Sequence, residues 1–315
     1  MNHTKDELKE LQSLPLVDKV ALTKLRITEW HDHYNGKVYV SFSGGKDSSV
    51  LLHIAREIYP EMGGVFVDTG LEFPEVKDHV KSFENITIIR PKKSFAQVIQ
   101  DEGWVFPSKE VALDVHYARK GSLWAINKFN GLDRHGNKDA YKQSSMKWKW
   151  LIGSPYKISP FCCDIMKKKP AHQYTKQTGE FPILATMASE SRLRYNAWIK
   201  TGCNAFDAMY PSSKPMSFWT NQDVLEYIAY HHVKIPSVYG DVVKSKNGKY
   251  ATTGEDRTGC VFCPIGCHLE KGDRRRFVRL SKTHPKLYDY CMNKLGMKEL
   301  LDAIQEHTGC EKLYV

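Results

Sequence analysis

VYVSFSGGKDSSVLL, residues 38–52, sets a β-branched and aromatic run directly against a helical one, with only a Gly-Gly turn between them. KVYVSFS (37–43) reads as a buried strand, short and flanked by Gly36 and Gly44. SSVLLHIAREIY reads as a helix stopped by Pro60. Such a junction aims several backbone N–H groups and the positive end of the helix dipole at one point, which suits a phosphate. Gly44 and Gly45 allow close backbone approach. Ser41, Ser43 and Ser48 offer hydroxyls, and Lys46 and Asp47 offer charge and are the candidate catalytic groups of the loop. It is not a Walker A loop, because Val40 and Asp47 stand where that motif needs Gly and Ser or Thr.

Outward from this junction the pattern repeats. GGVFVDTG is a second strand, PEVKDHVKSF a helix opened by Pro74, ITIIRP a third strand and FPILATMA (181–188) a further one. Residues 5–33 read as one helix, and WTNQDVLEYIAYHH as an amphipathic helix with Thr220 as N-cap. Strand–helix alternation predicts the α/β class, with a mostly parallel sheet and crossover helices. Residues 104–160, rich in Trp, Tyr, Lys and Gly, break the rhythm and read as an insertion or lid. The chain divides into an N-terminal helical segment (1–36), an α/β segment (37–240) and a small C-terminal helical region bearing cysteines (241–315).

The chain has 315 residues, 41% hydrophobic and 26% charged, and its 46 Lys+Arg against 36 Asp+Glu leave a net charge of +10. That balance favours an anionic partner, a nucleotide or a nucleic acid. No apolar run is long enough for a membrane span, and the charged start MNHTKDELKE has no signal-peptide core, so a cytoplasmic location is expected. In a reducing compartment eight cysteines are metal ligands, reactive thiols or fillers rather than disulfides.

FCCDIMKKKP (161–170) places Cys162 beside Cys163, and consecutive Cα atoms about 3.8 Å apart are too close for an ordinary disulfide. TGCVFCPIGC supplies Cys260, Cys263 and Cys267. A Cys-x2-Cys turn converges two thiolates on one metal. Two such pairs suffice for zinc or an iron–sulfur cluster, with plain burial as the alternative. Cys267 is a fifth candidate ligand, redox partner or filler, and Cys203 and Cys291 read as buried residues.

SFSGGKDSSV resembles the pyrophosphate loop of the adenine nucleotide α-hydrolase superfamily. VFVDTGLEFPEV (65–76) and FWTNQDVLEYIAYHHVKIPSVYG (218–240) resemble stretches of its phosphoadenylyl-sulfate (PAPS) reductase branch. The resemblance implies a doubly wound fold, helices on both faces, holding an adenine nucleotide at the carboxyl ends of the strands, with Asp68, Thr69 and Gly70 beside it. It implies a [4Fe–4S] cluster on Cys162, Cys163, Cys260 and Cys263, with a structural zinc as the rival. One of Lys167, Lys168 and Lys169 would then face inward, Lys168 being the substrate-binding candidate. MASESRLR (187–194) resembles the family's Glu-Ser-x-x-Arg stretch, so Glu190 and Arg194 would contact nucleotide or substrate, a surface ion pair being the rival.

Two departures matter. The reductases' terminal Glu-Cys-Gly motif is absent; EHTGCEKLYV offers only Cys310, a candidate nucleophile if a mobile tail brings it to the site, with a tail cysteine without function as the alternative. The phosphate loop, eroded in reductases proper, is intact, as in branches that bind ATP with Mg2+, adenylate a substrate oxygen and expel pyrophosphate. The leading expectation is therefore ATP-dependent adenylation coupled to sulfur transfer. DNA phosphorothioation enzymes resemble this combination. The acceptor would be a nucleic acid, on which Trp148 and Trp150 stack unless they are core residues, or a small molecule. The donor would be a cysteine desulfurase. The alternatives are reduction of adenylyl sulfate to sulfite with a thioredoxin-like reductant, and a regulator that binds without turnover.

Overall fold

Val38–Ser41 forms β1, and its Val38 and Val40 are buried together with Phe42 in one apolar cluster. The structure is a computed structural model and describes residues 3–139 and 143–315. By spatial contact the chain falls into two units, Met1–Pro91 with Lys167–Val261, and Lys92–Met166 with Phe262–Val315. These cut across the segments drawn along the sequence, since chain order and spatial compactness are different criteria.

The helix expected over residues 5–33 is two helices, α1 (Lys5–Ser13) and α2 (Leu16–His33). Leu14 is extended ahead of Pro15, whose ring disfavours helix in the preceding residue, so the helix restarts there. After β1 come α3 (Lys46–Ile58), β2 (Gly64–Val67), α4 (Pro74–Lys81) and β3 (Ile86–Ile89). The second unit then takes α5 (Phe95–Glu102), α6 (Lys109–Arg119), α7 (Leu123–Phe129), α8 (Gln143–Met146) and α9 (Trp150–Gly153). A π-helical turn (Asp164–Lys168) leads to α10 (Lys169–Thr178), β4 (Phe181–Ile183), α11 (Arg192–Thr201), β5 (Asn204–Ala205), β6 (Ser212–Ser213), α12 (Asn221–His231) and the hairpin β7 (Val242–Lys244)–β8 (Tyr250–Thr252). Helices α13 (Arg276–Thr283), α14 (Pro285–Asp289) and α15 (Met297–Thr308) belong to the second unit.

The main sheet has the order β3-β2-β1-β4-β6-β5, parallel except for β5. Val40 sits in register with Gly64 of β2 on one side and Ile183 of β4 on the other. The chain winds outward from β1 to β3 and then returns to the other side of β1. The strand order therefore reverses between β1 and β4, where open α/β sheets leave a crevice beyond the strand ends. The α/β class and the mostly parallel sheet are as the sequence predicts.

The first unit is locked by polar contacts as well as apolar ones. The buried Trp219 indole N–H donates to Thr23 Oγ1 at 2.9 Å, joining α2 to the segment before α12. Lys19 of α2, itself buried, pairs with Asp223 at 2.8 Å, and Asp223 also accepts from Thr220 in the capping box that starts α12. In the second unit Asp114 is buried against Lys128 at 3.0 Å, and the rings of Phe106, Trp148 and His268 pack edge to face. Residues 104–160, expected as an insertion or lid, carry the four helices α6–α9 with turns and bends between them. Trp148 is 3% exposed, so it is a core residue and not a stacking platform, and Trp150 stacks on His307. Tyr141 and Lys142 of that aromatic–basic run lie outside the described residues.

Asp223→Ala would leave the Lys19 ammonium buried and unpaired and remove the Asp223 half of the capping box of α12, leaving Thr220 as its N-cap. The expected cost is about 3–5 kcal/mol in urea unfolding, the usual price of breaking a buried pair from one side; a cost below about 1 kcal/mol would show that the pair does not hold α2 to α12.

Candidate functional site

The phosphate loop lies where β1 ends. Gly44 has φ +72°, and a Cβ there would come within 2.6 Å of Val80 and 2.8 Å of Val76, so glycine is what lets α4 press against the turn. Gly45 is the N-cap of α3 and has no side chain to cap it. A distant group fills that role: the Tyr239 hydroxyl accepts the Lys46 backbone N–H at 3.2 Å and lies 2.7 Å from Thr258 Oγ1. Burial pushes the Tyr239 phenol up, so it stays a neutral hydroxyl. The Lys46 side chain is buried at the base of the loop, its ammonium 2.7 Å from Asp47. The Ser43 and Ser48 hydroxyls are 3.0 Å apart, and Ser48 donates to the Gly45 carbonyl.

Beside the loop a cleft of about 820 Å³ opens along the sheet, lined by Ser41 and Ser43 from β1 and its turn, Val65 and Val67 from β2, and Leu184 just past β4. Lys167, Lys168, His172 and Lys176 line its helical wall. Lys167 lies 3.7 Å from Glu72, a buried carboxylate missed in the sequence. Glu72 accepts from Thr69 Oγ1 at 2.6 Å and from the Thr69 and Leu71 N–H groups, and so shapes the turn after β2. Thr69 is thereby committed to Glu72. Asp68 pairs with Lys77 at 2.9 Å and Arg90 at 3.2 Å. Burial opposes ionisation of Asp68, but Lys77, the Gly70 N–H and Arg90 hold it below its usual value. Gly70 turns the chain with φ +77°.

Glu190 and Arg194 form an ion pair with each other, and Arg257 joins at 3.2 Å from Glu190. Burial lowers the Arg194 pKa, Arg257 adds to this, and Asp47 opposes it, which puts Arg194 within the field of the phosphate loop. Arg257 and Thr258 carry no local motif, whereas Tyr239 stands at the end of the stretch 218–240, which does not say what it bonds. The signal of Arg257 and Thr258 in sequence is only their nearness to Cys260.

The cysteines are less assembled. All eight are thiols rather than disulfides. Among the described residues no three Cys, His, Asp or Glu side chains are grouped as a metal site. Cys260 falls in the first unit and Cys162, Cys163, Cys263 and Cys267 in the second. Within the second unit Cys163 and Cys263 are near enough to act on each other electrostatically: burial pushes the Cys263 thiol up, which favours its protonated form, and a charge on Cys163 pushes it further. Burial takes Cys267 to about 12. The cation of this loop is Arg276, whose guanidinium donates to the Cys263 carbonyl at 2.8 Å while bonding Glu270. The C-terminal tail that carries Cys310 is docked. Glu311 accepts the Gly272 N–H at 2.9 Å, Leu313 is buried, and Cys310 lines a cavity with His268 and His307.

The family model described as the phosphoadenosine phosphosulfate reductase domain matches residues 37–109 and 101–270. Two uncharacterised proteins of Methanocaldococcus jannaschii are each 23% identical to the chain, over 304 and 273 residues, covering 92% and 82% of it. These alignments take in 54% and 41% of the two proteins, so the chain spans about half the length of the curated relatives it matches. A crystal structure of phosphoadenylyl-sulfate (PAPS) reductase from Candida auris, a phosphate complex, is 14% identical, with a TM-score of 0.39 over 75% of this chain and 91% of that one. Among the described residues no helix is long and apolar enough to cross a membrane.

His79 of α4 lies behind the loop, 2.9 Å from Ser49 Oγ, and burial lowers its pKa from 6.5 to about 4. The unfolded chain therefore takes up a proton between these values that the folded chain refuses. His79 stabilises fully above about pH 6.5 and loses that contribution as pH falls toward 4. Urea midpoints at pH 7.5 and 5 should converge in His79→Gln relative to the parent; equal acid sensitivity in both would place the effect elsewhere.

Proposed function

The chain belongs to the phosphoadenosine phosphosulfate reductase domain family, and on that footing we propose that it is an adenine-nucleotide enzyme of sulfur chemistry that spends ATP on adenylating an acceptor. The single observation that carries this reading is the intact loop: Gly44 and Gly45 at the sheet's switch point, with a buried Lys46 and the cleft alongside. A loop that served only a single α-phosphate would have no need of this cradle.

In the proposed reaction the adenine occupies the cleft beyond β1 and β4, and the phosphates, accompanied by Mg2+, lie at the N-terminus of α3. The acceptor oxygen attacks the α-phosphorus, the bond to the bridging oxygen breaks, and pyrophosphate leaves with the electron pair. Lys46 and the helix N-terminus offset the charge on that leaving group, and Arg194 and Arg257 stand near enough to share it. The terminal sulfur of a persulfide-carrying protein such as a cysteine desulfurase then bonds the activated centre as AMP leaves. A second thiol cleaves the S–S bond to the carrier, becoming its disulfide partner and freeing the thiolated acceptor. Asp47 and Glu190 hold these cations in place until phosphate takes them over.

The sequence spacing, supported by the coupling of Cys163 and Cys263, makes Cys162, Cys163, Cys260 and Cys263 the proposed ligands of a [4Fe–4S] cluster. Such a cluster, with each iron held by one of these four cysteines, would supply one-electron chemistry when bound. Metal binding needs the thiolates, so the raised Cys263 pKa means that loading releases protons.

Anaerobically purified protein given labelled ATP and a candidate acceptor should release pyrophosphate. Sulfite release from adenylyl sulfate, lost in Cys310→Ser, would replace this reading with the reductase one. Lys46→Ala should weaken ATP binding by roughly tenfold or more, the usual loss for a hydrogen bond to a charged group; unchanged affinity would mean the phosphates bind elsewhere. Iron and acid-labile sulfide should be present in equal amounts, and stoichiometric zinc without iron would remove the cluster from the account.

A further inference from the structure

Residues 167–178, KKKPAHQYTKQT, hold four lysines and one histidine and no acidic residue. Lys168, His172 and Lys176 recur every four residues, on one helical face, and all three line the cleft. On the cleft's other lip, Met209 and Tyr210 are 88% and 58% exposed. The Tyr210 ring lies flat on the His172 imidazole, with centroids 3.9 Å apart and planes 4° from parallel. One ring face is thus fixed by His172 while more than half of the residue stays open to solvent. Of the carboxylates around it, Glu72 is buried against Lys167, Glu180 accepts the Tyr174 hydroxyl, Asp207 acts on Tyr34, and Asp164 shares the helical turn of Lys168. None of these rim residues is needed to hold phosphates at α3.

A rigid aromatic face beside a row of cations is the arrangement that grips single strands: bases stack on the ring while the backbone follows the charges. We propose that this rim is the acceptor surface and that the acceptor is a single-stranded nucleic acid. One base stacks on Tyr210 beside Met209, and the backbone phosphates follow Lys168 and Lys176. This inference rests on the reading of the cleft as the place of nucleotide activation, and it names the acceptor class which that reading leaves open. Trp148 and Trp150, the aromatic residues that the sequence suggested for stacking, are engaged in the second unit instead.

The test is fluorescence anisotropy of a short labelled single-stranded oligonucleotide with the full chain across a salt series. Tyr210→Ala should weaken binding about tenfold or more at unchanged salt slope, as expected for loss of one stacked base. Lys168→Ala/Lys176→Ala should reduce the slope of log K against log salt by about 1.4, since each phosphate contact on a single strand contributes about 0.7. Lys246→Ala/Lys249→Ala, at the β7–β8 turn, should change neither. Equal weakening by that control pair, no effect of Tyr210→Ala, or displacement of the oligonucleotide by an equally charged acidic peptide would each overturn the proposal. ATP binding by the parent protein is measured in the same preparation. Oligonucleotide binding without ATP binding would overturn the activation reading and the acceptor role with it. ATP binding without oligonucleotide binding would overturn the surface alone.

Discussion

The backbone donors at the start of α3 sit at the reversal of strand order, and a helix N-terminus without partners for those donors is costly to keep dry. The first unit meets this constraint with parts drawn from three places in the chain. Gly44 lets Val76 and Val80 of α4 close in behind the turn. Tyr239, steadied by Thr258, accepts the Lys46 N–H from in front. The order of the sheet then leaves a cleft beside the loop rather than elsewhere, because only β1 and β4 diverge in connection.

Charge around this point is arranged in exchangeable pairs. Lys46 is held by Asp47, and Arg194 and Arg257 by Glu190. A cation that is buried or half-buried needs a counter-charge at all times, and a carboxylate supplies it in the absence of phosphate. A polyphosphate offers the same cations stronger partners at the same place, with the helix dipole adding to the attraction. The pairs seen in the structure and the chemistry proposed for it are thus two states of one set of charges.

The loop and the central strands were legible because their signals are local: Gly44-Gly45 between an apolar β-branched run and a helix admits few other readings. Thr220 was legible as a cap for the same reason, and the structure shows the full capping box with Asp223. The contacts of Glu72, Tyr239, Thr258 and Arg257 were not, although Glu72 and Tyr239 stand inside the family-like stretches, because their partners lie far away in sequence or around a turn whose geometry no spacing rule specifies. Tyr239 and Lys46 are 193 residues apart. Glu190 and Arg194 were found by motif, but their mutual pairing was visible only in space. Trp148 shows the opposite failure, a polar-looking, tryptophan-rich run whose first tryptophan is core. Pro15 was visible in the sequence, yet the amphipathic pattern on both sides concealed the break between α1 and α2.

The most direct test is a crystal structure of the chain with a non-hydrolysable ATP analogue. The account predicts phosphate oxygens within hydrogen-bond distance of the Gly45 and Lys46 N–H groups, with the adenine in the cleft beyond β1 and β4. A nucleotide bound away from this turn, with the Tyr239 hydroxyl still on the Lys46 N–H, would contradict it.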